Sequence, residues 1–109
     1  MCVALPKRCQ LTGITDSNTG TAAACAAAVA AAVAKHGKLN GIVVATGVWC
    51  EGDTHAAAET DFDRTMGVNV KGPFFLLARA LPHLKSTSGW ATLLSSDAGI
   101  QGNRCQWMW

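Results

Sequence analysis

Residues 60–85 form the longest stretch of the sequence with helical periodicity. Near its start, Thr60 is followed three residues later by Asp63. This spacing is typical of a helix N-terminus, where side-chain oxygens accept hydrogen bonds from the first backbone N–H groups. Apolar residues then recur at helical spacing and predict one stripe that faces a core. The predicted stripe consists of Phe74, Leu77, Ala78, Leu81 and Leu84.

One amide side chain, that of Asn69, lies inside this helical stretch between Val68 and Val70. A polar group in apolar surroundings needs a hydrogen-bond partner if it is buried. Two interpretations stay open on the sequence alone. Asn69 either bonds to nearby backbone at a junction between two helical halves, or it belongs to a functional site.

The first twenty residues are rich in turn formers. Residues 3–5 read as the end of a strand that Pro6 terminates. In residues 12–20, Gly13 and Gly20 are seven positions apart, whereas a dinucleotide-binding loop needs closely spaced glycines so that backbone N–H groups can reach the pyrophosphate. We therefore interpret this segment as a loop that caps the following helix.

Residues 21–36 predict an alanine-rich helix, because alanine has the highest helix propensity. Cys25, Val29 and Val33 follow one another at intervals of four and give this helix a narrow face that can lie against a sheet. Gly37 comes directly after the stretch and predicts its C-terminal stop. The apolar run is too short and too weakly hydrophobic to span a bilayer, so we expect no membrane association.

Two short apolar runs, residues 42–45 and residues 90–94, predict strands that are buried and parallel. Together with the helices and the strand end near the N-terminus, they give the order strand, helix, strand, helix, strand. Such alternation argues for βαβ units with right-handed crossovers, and therefore for the α/β class.

The residues that follow the two apolar runs predict a ligand site. The first run leads into Ala45, Thr46 and Gly47, whose small side chains let a ligand approach the backbone. After the second run comes Ser96, at the edge where α/β sheets bind ligands. We expect these residues and Asn69 to lie near one another.

Length, charge and cysteine spacing exclude several classes of protein. A chain of 109 residues fits a single domain, residues 1–109. The net charge is +2 and the charges are interspersed, which argues against a nucleic-acid partner. The five cysteines form no C-x-x-C pair and stand at no zinc-ligand spacing from a histidine. We therefore expect no metal site and scattered thiols in a reducing compartment, the cytoplasm.

Five short segments match, in order and spacing, the motifs of one known family. They are Gly-Lys-Leu-Asn at 37–40, Val-Ala-Thr-Gly at 44–47, Asn-Val-Lys-Gly at 69–72, Leu-Pro-His-Leu-Lys at 81–85 and Ser-Ser-Asp-Ala-Gly at 95–99. They are similar to the Gly-x-Leu-Asp, Asn-Asn-Ala-Gly, Asn-Val-x-Gly, Leu-Pro-His-x-Lys and Ser-Ser-x-x-Gly segments of short-chain dehydrogenases/reductases. In the second segment only the glycine matches. The chain thus resembles the central part of a member of this family.

The resemblance implies a fold, a reaction and a set of site residues. The fold would be a partial Rossmann-like three-layer α/β fold, with parallel strands and flanking helices, truncated at both ends. The reaction would be hydride transfer between NAD or NADP and a small alcohol or carbonyl substrate. Asn69 and Ser96 would be catalytic, with the asparagine holding a water in the proton relay and the serine orienting the substrate oxygen. Ala45, Thr46 and Gly47 would bind the cofactor.

The sequence also departs from the family. It contains no tyrosine, the family's acid/base group, and Trp109 stands about where that tyrosine falls when counted from Ser96. The lysine that follows the tyrosine would lie beyond residue 109, and the glycine-rich first βαβ unit would precede residue 1. We therefore expect a partial copy that is inactive by itself.

The same departures have consequences for packing and partners. We expect residues 3–5 to be separated from the strand at 42–45, which then pairs only with the strand at 90–94. Such a small sheet predicts marginal stability or self-association. The alternative function is non-catalytic: in the family the helix corresponding to residues 73–84 often packs at a subunit interface, so the chain could bind a full-length relative.

Overall fold

The computed structural model of the protein describes residues 2–3, 12–13, 21–102 and 106–108. The strands in these ranges are β1 (Cys2–Val3), β2 (Thr12–Gly13), β3 (Gly41–Val44), β4 (Cys50–Glu51), β5 (Trp90–Leu93) and β6 (Gln106–Met108). The α-helices are α1 (Ala22–His36), α2 (Glu59–Met66), α3 (Gly72–Ser86) and α4 (Ala98–Gln101). A 3₁₀ turn covers Thr54–Ala56, and a π-helical turn at Gly67–Lys71 joins α2 to α3.

Three of the predictions fall wholly or partly outside these ranges. Val3 lies in β1, but residues 4–5 of the predicted strand end are not among the described residues. The predicted capping loop contributes Thr12–Gly13 to β2, and its remaining residues lie outside the described ranges, as does Trp109.

The main sheet has the strand order β2-β1-β3-β5. β3 and β5 are parallel, with Gly41 opposite Trp90 and Val44 opposite Leu93, which confirms the predicted parallel pair. The expectation that the N-terminal strand stays apart from β3 is wrong. β1 lies antiparallel to β3 and to β2, because β3 would otherwise leave a row of backbone N–H and C=O groups without partners.

Helix α1 forms as the sequence predicts. The Thr21 hydroxyl accepts a hydrogen bond from the Ala24 N–H at 3.2 Å, which caps the first turn. Gly37 ends the helix in the left-handed region at φ 73°, and its N–H donates to the Val33 carbonyl at 2.7 Å. Cys25 is fully buried on the predicted face. The cap, the stop and the buried face of α1 therefore all agree with the local sequence.

Helix α2 begins at Glu59, two residues earlier than an N-cap at Thr60 would allow. Its N-cap is Ala58, which is extended and forms no side-chain capping hydrogen bond. The carbonyl of Ala58 already accepts hydrogen bonds from the N–H groups of Asp61 and Phe62, so Thr60 lies inside the first turn. Glu59 and Asp61 supply the negative charge that favours a helix N-terminus.

The buried side of α3 differs from the predicted apolar stripe. Phe74 is 65% exposed and Leu81 is 49% exposed, and of the predicted stripe only Leu84 is buried. The buried residues of the helix are Gly72, Pro73, Leu76, Ala80 and Leu84. These also recur at helical spacing, and small residues among them let α3 approach the alanine-rich surface of α1. Close helix packing selects this side over the more hydrophobic one.

The predicted burial of residues 90–94 is wrong, although they do form a strand. Trp90, Leu93 and Leu94 are about half exposed. The cause is position: β5 is the edge strand of the sheet, and the buried core of the described part gathers around β3, α1 and α3. Ile42 and Val44 of β3 are almost fully buried there.

Candidate functional site

The carboxyl ends of β3 and β5 coincide. Val44 is opposite Leu93 in the parallel register, and the Leu94 N–H donates a hydrogen bond to the Val44 carbonyl at 2.9 Å. The segment that starts at Ala45 and the segment that leads to Ser96 therefore leave the sheet side by side. This is the edge at which open α/β sheets bind their ligands.

Asn69 is bonded to the segment that follows β3. Its Oδ1 accepts a hydrogen bond from the Val48 N–H at 2.9 Å, and its Nδ2 donates one to the Val48 carbonyl at 2.7 Å. A Cβ atom added at Gly47 would lie 3.7 Å from the same Oδ1. The sequence therefore brings Asn69 and Gly47 together from positions 22 apart, as the ligand-edge prediction expects.

The backbone around Asn69 is unusual for a helix. The Gly72 N–H bonds to the Gly67 carbonyl, five residues back, so one extra residue is accommodated in the turn that carries Asn69. Single π-helical turns of this kind occur frequently at functional sites. The sequence left open whether Asn69 bonds to backbone or belongs to a functional site. Asn69 does hydrogen-bond to backbone, but to that of Val48, which lies 21 residues away in the chain. A catalytic role for Asn69 stays a prediction.

Ser96 lies at the same edge but has its own partners. Its Oγ accepts a hydrogen bond from the Ala98 N–H at 3.2 Å and lies 3.4 Å from a carboxylate oxygen of Asp97. These contacts hold the start of α4. The side chain is exposed, so the hydroxyl can be reached from solvent.

The three predicted cofactor residues form a small, open surface. Ala45 and Gly47 are exposed, and Thr46 is half-buried. Nothing larger than the threonine side chain projects from this stretch. The residues thus leave room for a ligand to lie over the sheet edge, and their use by a nicotinamide cofactor stays a prediction.

Two features of this region were not foreseen in the sequence. The first is Val48, whose backbone receives both hydrogen bonds from Asn69. No sequence signal identifies a backbone partner of this kind. The second is a groove of about 610 Å³ along the outer side of the helix that carries Asn69. It is lined by Asp63, Met66, Gly67, Val70, Lys71 and Phe74. Their helical spacing was visible in the sequence, but periodicity does not tell a buried face from an exposed groove.

Cys25 and Cys50 each make a side-chain contact with another part of the fold. Cys25 donates to the Gly72 carbonyl at 3.6 Å and ties α1 to α3. Burial raises the pKa of the Cys25 thiol above its usual 9.0, and the positive charge of Arg79 opposes this only in part. Cys50 lies 3.3 Å from the hydroxyl of Thr65, a fully buried residue whose hydroxyl donates to the Asp61 carbonyl.

Within residues 21–102 and the short described strands, no three His, Cys, Asp or Glu side chains gather as a metal site would require. The same ranges contain no helix long and apolar enough to cross a membrane.

Known proteins share both the sequence pattern and the architecture. The pattern of the short chain dehydrogenase family matches residues 8–108. An oxidoreductase of Thermotoga maritima is 40% identical over 72 residues, which cover 63% of this chain and 29% of that protein.

Two solved structures superpose well on the chain. The NADH-dependent reductase A1-R′ responsible for alginate metabolism has a TM-score of 0.76 at 18% identity, and 80% of this chain covers 38% of it. A short-chain dehydrogenase/reductase from Burkholderia xenovorans has a TM-score of 0.75 at 22% identity. The match covers 82% of this chain and 36% of that protein. The chain spans less than two-fifths of the length of each of these relatives.

These likenesses confirm the predicted α/β class and its Rossmann-like character, with parallel strands and flanking helices that correspond to part of the relatives' domain. The family pattern extends over nearly all of the sequence and includes the segments around Asn69 and Ser96. This chain belongs to the short-chain dehydrogenase/reductase family.

Proposed function

We propose that this chain carries the central part of the catalytic edge of an NAD(P)-dependent short-chain oxidoreductase, which transfers a hydride between the nicotinamide and an alcohol or carbonyl substrate. One observation carries the proposal: the paired hydrogen bonds of Asn69 to Val48, at 2.9 and 2.7 Å, hold the segment after β3 against the helix. A structural asparagine could cap its own helix. Asn69 instead holds in place the segment after β3, at the sheet edge where a cofactor would lie.

Ala45, Thr46 and Gly47 would hold the cofactor. Exposed small residues at the end of a parallel strand permit close approach of a flat ring, and Gly47 adds no side chain to obstruct it. When bound, the nicotinamide would supply or accept the hydride.

Asn69 would act at this edge in two ways. Each amide atom that bonds to Val48 keeps a further capacity, a second N–H on Nδ2 and a second lone pair on Oδ1. These remaining positions suit a water molecule of the proton relay. Loss of the amide would therefore remove both the water's partner and the support of the segment that faces the cofactor.

Ser96 would orient the substrate oxygen. Because its Oγ accepts the hydrogen bond from the Ala98 N–H, its own proton is left to donate. In this structure the Asp97 carboxylate is the nearby acceptor at 3.4 Å. A carbonyl oxygen at the exposed side of the hydroxyl would compete for the same proton.

The chain by itself lacks the group that moves the proton to the substrate. The 109 residues contain no tyrosine, and neither the amide of Asn69 nor the hydroxyl of Ser96 titrates near neutral pH. We therefore propose that the chain alone binds the cofactor without turning over a carbonyl substrate.

Nucleotide titrations followed by tryptophan fluorescence test the proposal, since the chain has four tryptophans. We expect NADH or NADPH to quench the emission saturably. Asn69→Ala should weaken binding by about tenfold, equivalent to ~1.4 kcal/mol. Asn40→Ala is the matched control, because it removes the same side chain just before β3, at the opposite end of that strand. If the fluorescence does not saturate up to about 1 mM nucleotide, binding is weaker than ~4 kcal/mol and the proposal is contradicted. So would oxidation of NADPH by a panel of aldehydes and ketones.

The alternative function, binding to a full-length relative through residues 73–84, has one observation in its favour. Phe74 and Leu81 lie exposed on this helix. No quenching by nucleotide, together with co-purification of an intact relative from the source cells, would favour this alternative over the first proposal.

A further inference from the structure

Asn40 stands directly before Gly41, at the point where the chain enters β3. Its Oδ1 is buried, and no group in the described part of the chain forms a hydrogen bond to it. An asparagine amide that is followed by glycine is open to attack by the next backbone nitrogen, because glycine has no side chain to obstruct the approach. The pair is therefore a candidate site of spontaneous chemistry that the proposed hydride transfer does not use.

The fold itself requires the glycine of this pair. The ring of Trp90 occupies the space that a Cβ atom on Gly41 would fill, so a larger residue could be placed there only if the ring or the strand moved. The packing of β3 against β5 thus keeps the least hindered neighbour next to the Asn40 amide.

Two hydrogen bonds hold the backbone at this point while the chain is folded. The Trp90 N–H donates to the Asn40 carbonyl at 3.1 Å. The Thr87 hydroxyl donates to the Leu39 carbonyl at 2.7 Å. The first bond fixes the peptide plane between Asn40 and Gly41. The Gly41 nitrogen reaches Cγ of Asn40 only if this plane rotates, and the rotation breaks the bond from Trp90. The folded chain therefore protects the amide, and local opening of the β3–β5 pair exposes it.

We propose that Asn40 is a deamidation site whose reaction proceeds through opening of the β3–β5 pair. In the open chain the Gly41 nitrogen attacks Cγ of Asn40, loses its proton and expels the side-chain nitrogen as ammonia. The resulting succinimide ring takes up a water molecule and opens at either carbonyl, which gives aspartate or isoaspartate. Water is the only co-reactant, so the proposal holds or fails independently of the proposed hydride transfer.

Either product opposes closure of the pair. Aspartate places a carboxylate oxygen where the buried Oδ1 of Asn40 has no partner in the described part of the chain, and a buried charge without a partner is unfavourable. Isoaspartate lengthens the backbone just before β3 and disturbs the register in which Gly41 stands opposite Trp90. Deamidation therefore turns a transient opening into a lasting loss of the β3–β5 pair.

Peptide mapping by mass spectrometry tests the proposal on the full chain, incubated near neutral pH in water enriched in the heavy oxygen isotope. Asn40 should convert with first-order kinetics, take up solvent oxygen and yield isoaspartate. The chain unfolded in urea should react at least about tenfold faster, because the folded chain is open for only a fraction of the time. Asn69 is the internal reference and should stay unmodified, since the β-branched Val70 follows it.

Thr87→Val tests the opening step, because it removes the hydroxyl that holds the Leu39 carbonyl. It should speed both the deamidation of Asn40 and the hydrogen exchange of the Trp90 N–H by about fivefold, as expected for the loss of a hydrogen bond.

Thr87→Ser keeps this hydroxyl and should stay within about twofold of wild type in both rates. Ser86→Ala is the matched control, since the Ser86 hydroxyl bonds at the same helix end to the His83 carbonyl. It should leave both rates unchanged.

The proposal is overturned if Asn40 of the folded chain shows no conversion over about a hundred half-lives of the unfolded chain. It is also overturned if the folded and unfolded chains react equally fast, or if Thr87→Val reacts no faster than Ser86→Ala. If circular dichroism shows that Thr87→Val is unfolded, the wild-type chain decides in a series of urea concentrations below its transition. Deamidation and exchange of the Trp90 N–H should then rise in parallel, and divergence of the two rates overturns the proposal.

Discussion

At the residue scale, Asn69 shows how one side chain can join two distant segments. Both of its amide atoms bond to Val48, one accepting from the N–H and one donating to the carbonyl. The orientation of the amide is determined, since a backbone N–H can only donate and must face the oxygen. Asn69 thereby fixes the position of the segment after β3 relative to the π-helical turn.

We predict that Asn69→Ala lowers the free energy of unfolding by about 1–3 kcal/mol, because it removes two hydrogen bonds from the partly buried backbone of Val48. Amide hydrogen exchange of Val48 provides the sharper measurement. Protection should be lost in Asn69→Ala. It should be intermediate in Asn69→Asp, which keeps an acceptor for the Val48 N–H but sets a carboxylate oxygen against the Val48 carbonyl in place of the donor. Equal protection in all three proteins would show that Asn69 does not hold this segment.

Cys25 makes the free energy of unfolding depend on pH in the alkaline range. The pKa of its thiol is raised above 9.0 in the folded chain by burial, so the folded state holds this proton more tightly than the unfolded state. The contribution of the protonated thiol to stability is fully present below pH 9.0 and is lost as the pH rises through the folded-state pKa.

We therefore predict that the free energy of unfolding of the wild-type chain falls more steeply above pH 9 than that of Cys25→Ala. Urea titrations of both proteins between about pH 8 and pH 11 measure this difference, and the variant itself serves as the control for the lysines, which both proteins share. Identical slopes would rule out a contribution from Cys25.

At the scale of the elements, the packing of β3 against β5 depends on a missing side chain. The ring of Trp90 lies over Gly41, where an added Cβ atom would clash with carbons of the ring. A real Cβ cannot approach so closely, so either the ring or the strand would have to move.

Gly41→Ala should therefore destabilise the chain by about 1–3 kcal/mol, as overpacking of a core typically does. The half-exposed Trp90 can be removed at small cost, and Trp90→Ala should relieve most of the penalty in the double variant. A double-mutant cycle from thermal or urea unfolding measures this coupling. Gly47→Ala is the control, because its Cβ would make only an ordinary contact of 3.7 Å and should show no coupling to Trp90. Additive effects of Gly41→Ala and Trp90→Ala would contradict the steric explanation.

The elements also show where sequence periodicity succeeds and where it fails. α1 is found as expected, because its propensity, its threonine cap and the Gly37 stop are all local. α3 was predicted with the wrong side buried, because two rows of residues on the same helix recur at helical spacing. The row that contains Gly72 and Ala80 is the buried one, because its small side chains let the backbone of α3 approach α1.

At the scale of the whole molecule, the core is small. The large side chains that are almost fully buried in the described part are few, with Leu39, Ile42 and Leu76 among them. β5 is an edge strand whose residues are exposed, and Ile100 beyond it is 90% exposed. Apolar surface that stays in water contributes nothing to folding and favours association.

We predict marginal stability for the isolated monomer, with a midpoint of thermal unfolding below about 50 °C in dilute solution. Circular dichroism at micromolar concentration measures it. The midpoint should rise with protein concentration if the chain dimerises, because association stabilises the folded state by mass action. A cooperative transition of the dilute monomer above this temperature would contradict the prediction.

The amino-acid sequence was enough to predict the α/β class, the extent of α1, the parallel pairing of β3 with β5 and the family, because these depend on local propensity, residue order and short motifs. It also indicated that Asn69 would meet the edge at Gly47. The packing of the folded chain was needed to show that Asn69 hydrogen-bonds to the backbone of Val48, which side of α3 is buried, and that β5 is exposed. The physical reason is that these outcomes depend on which surfaces find a partner, and a residue's own neighbours in the chain do not specify that partner.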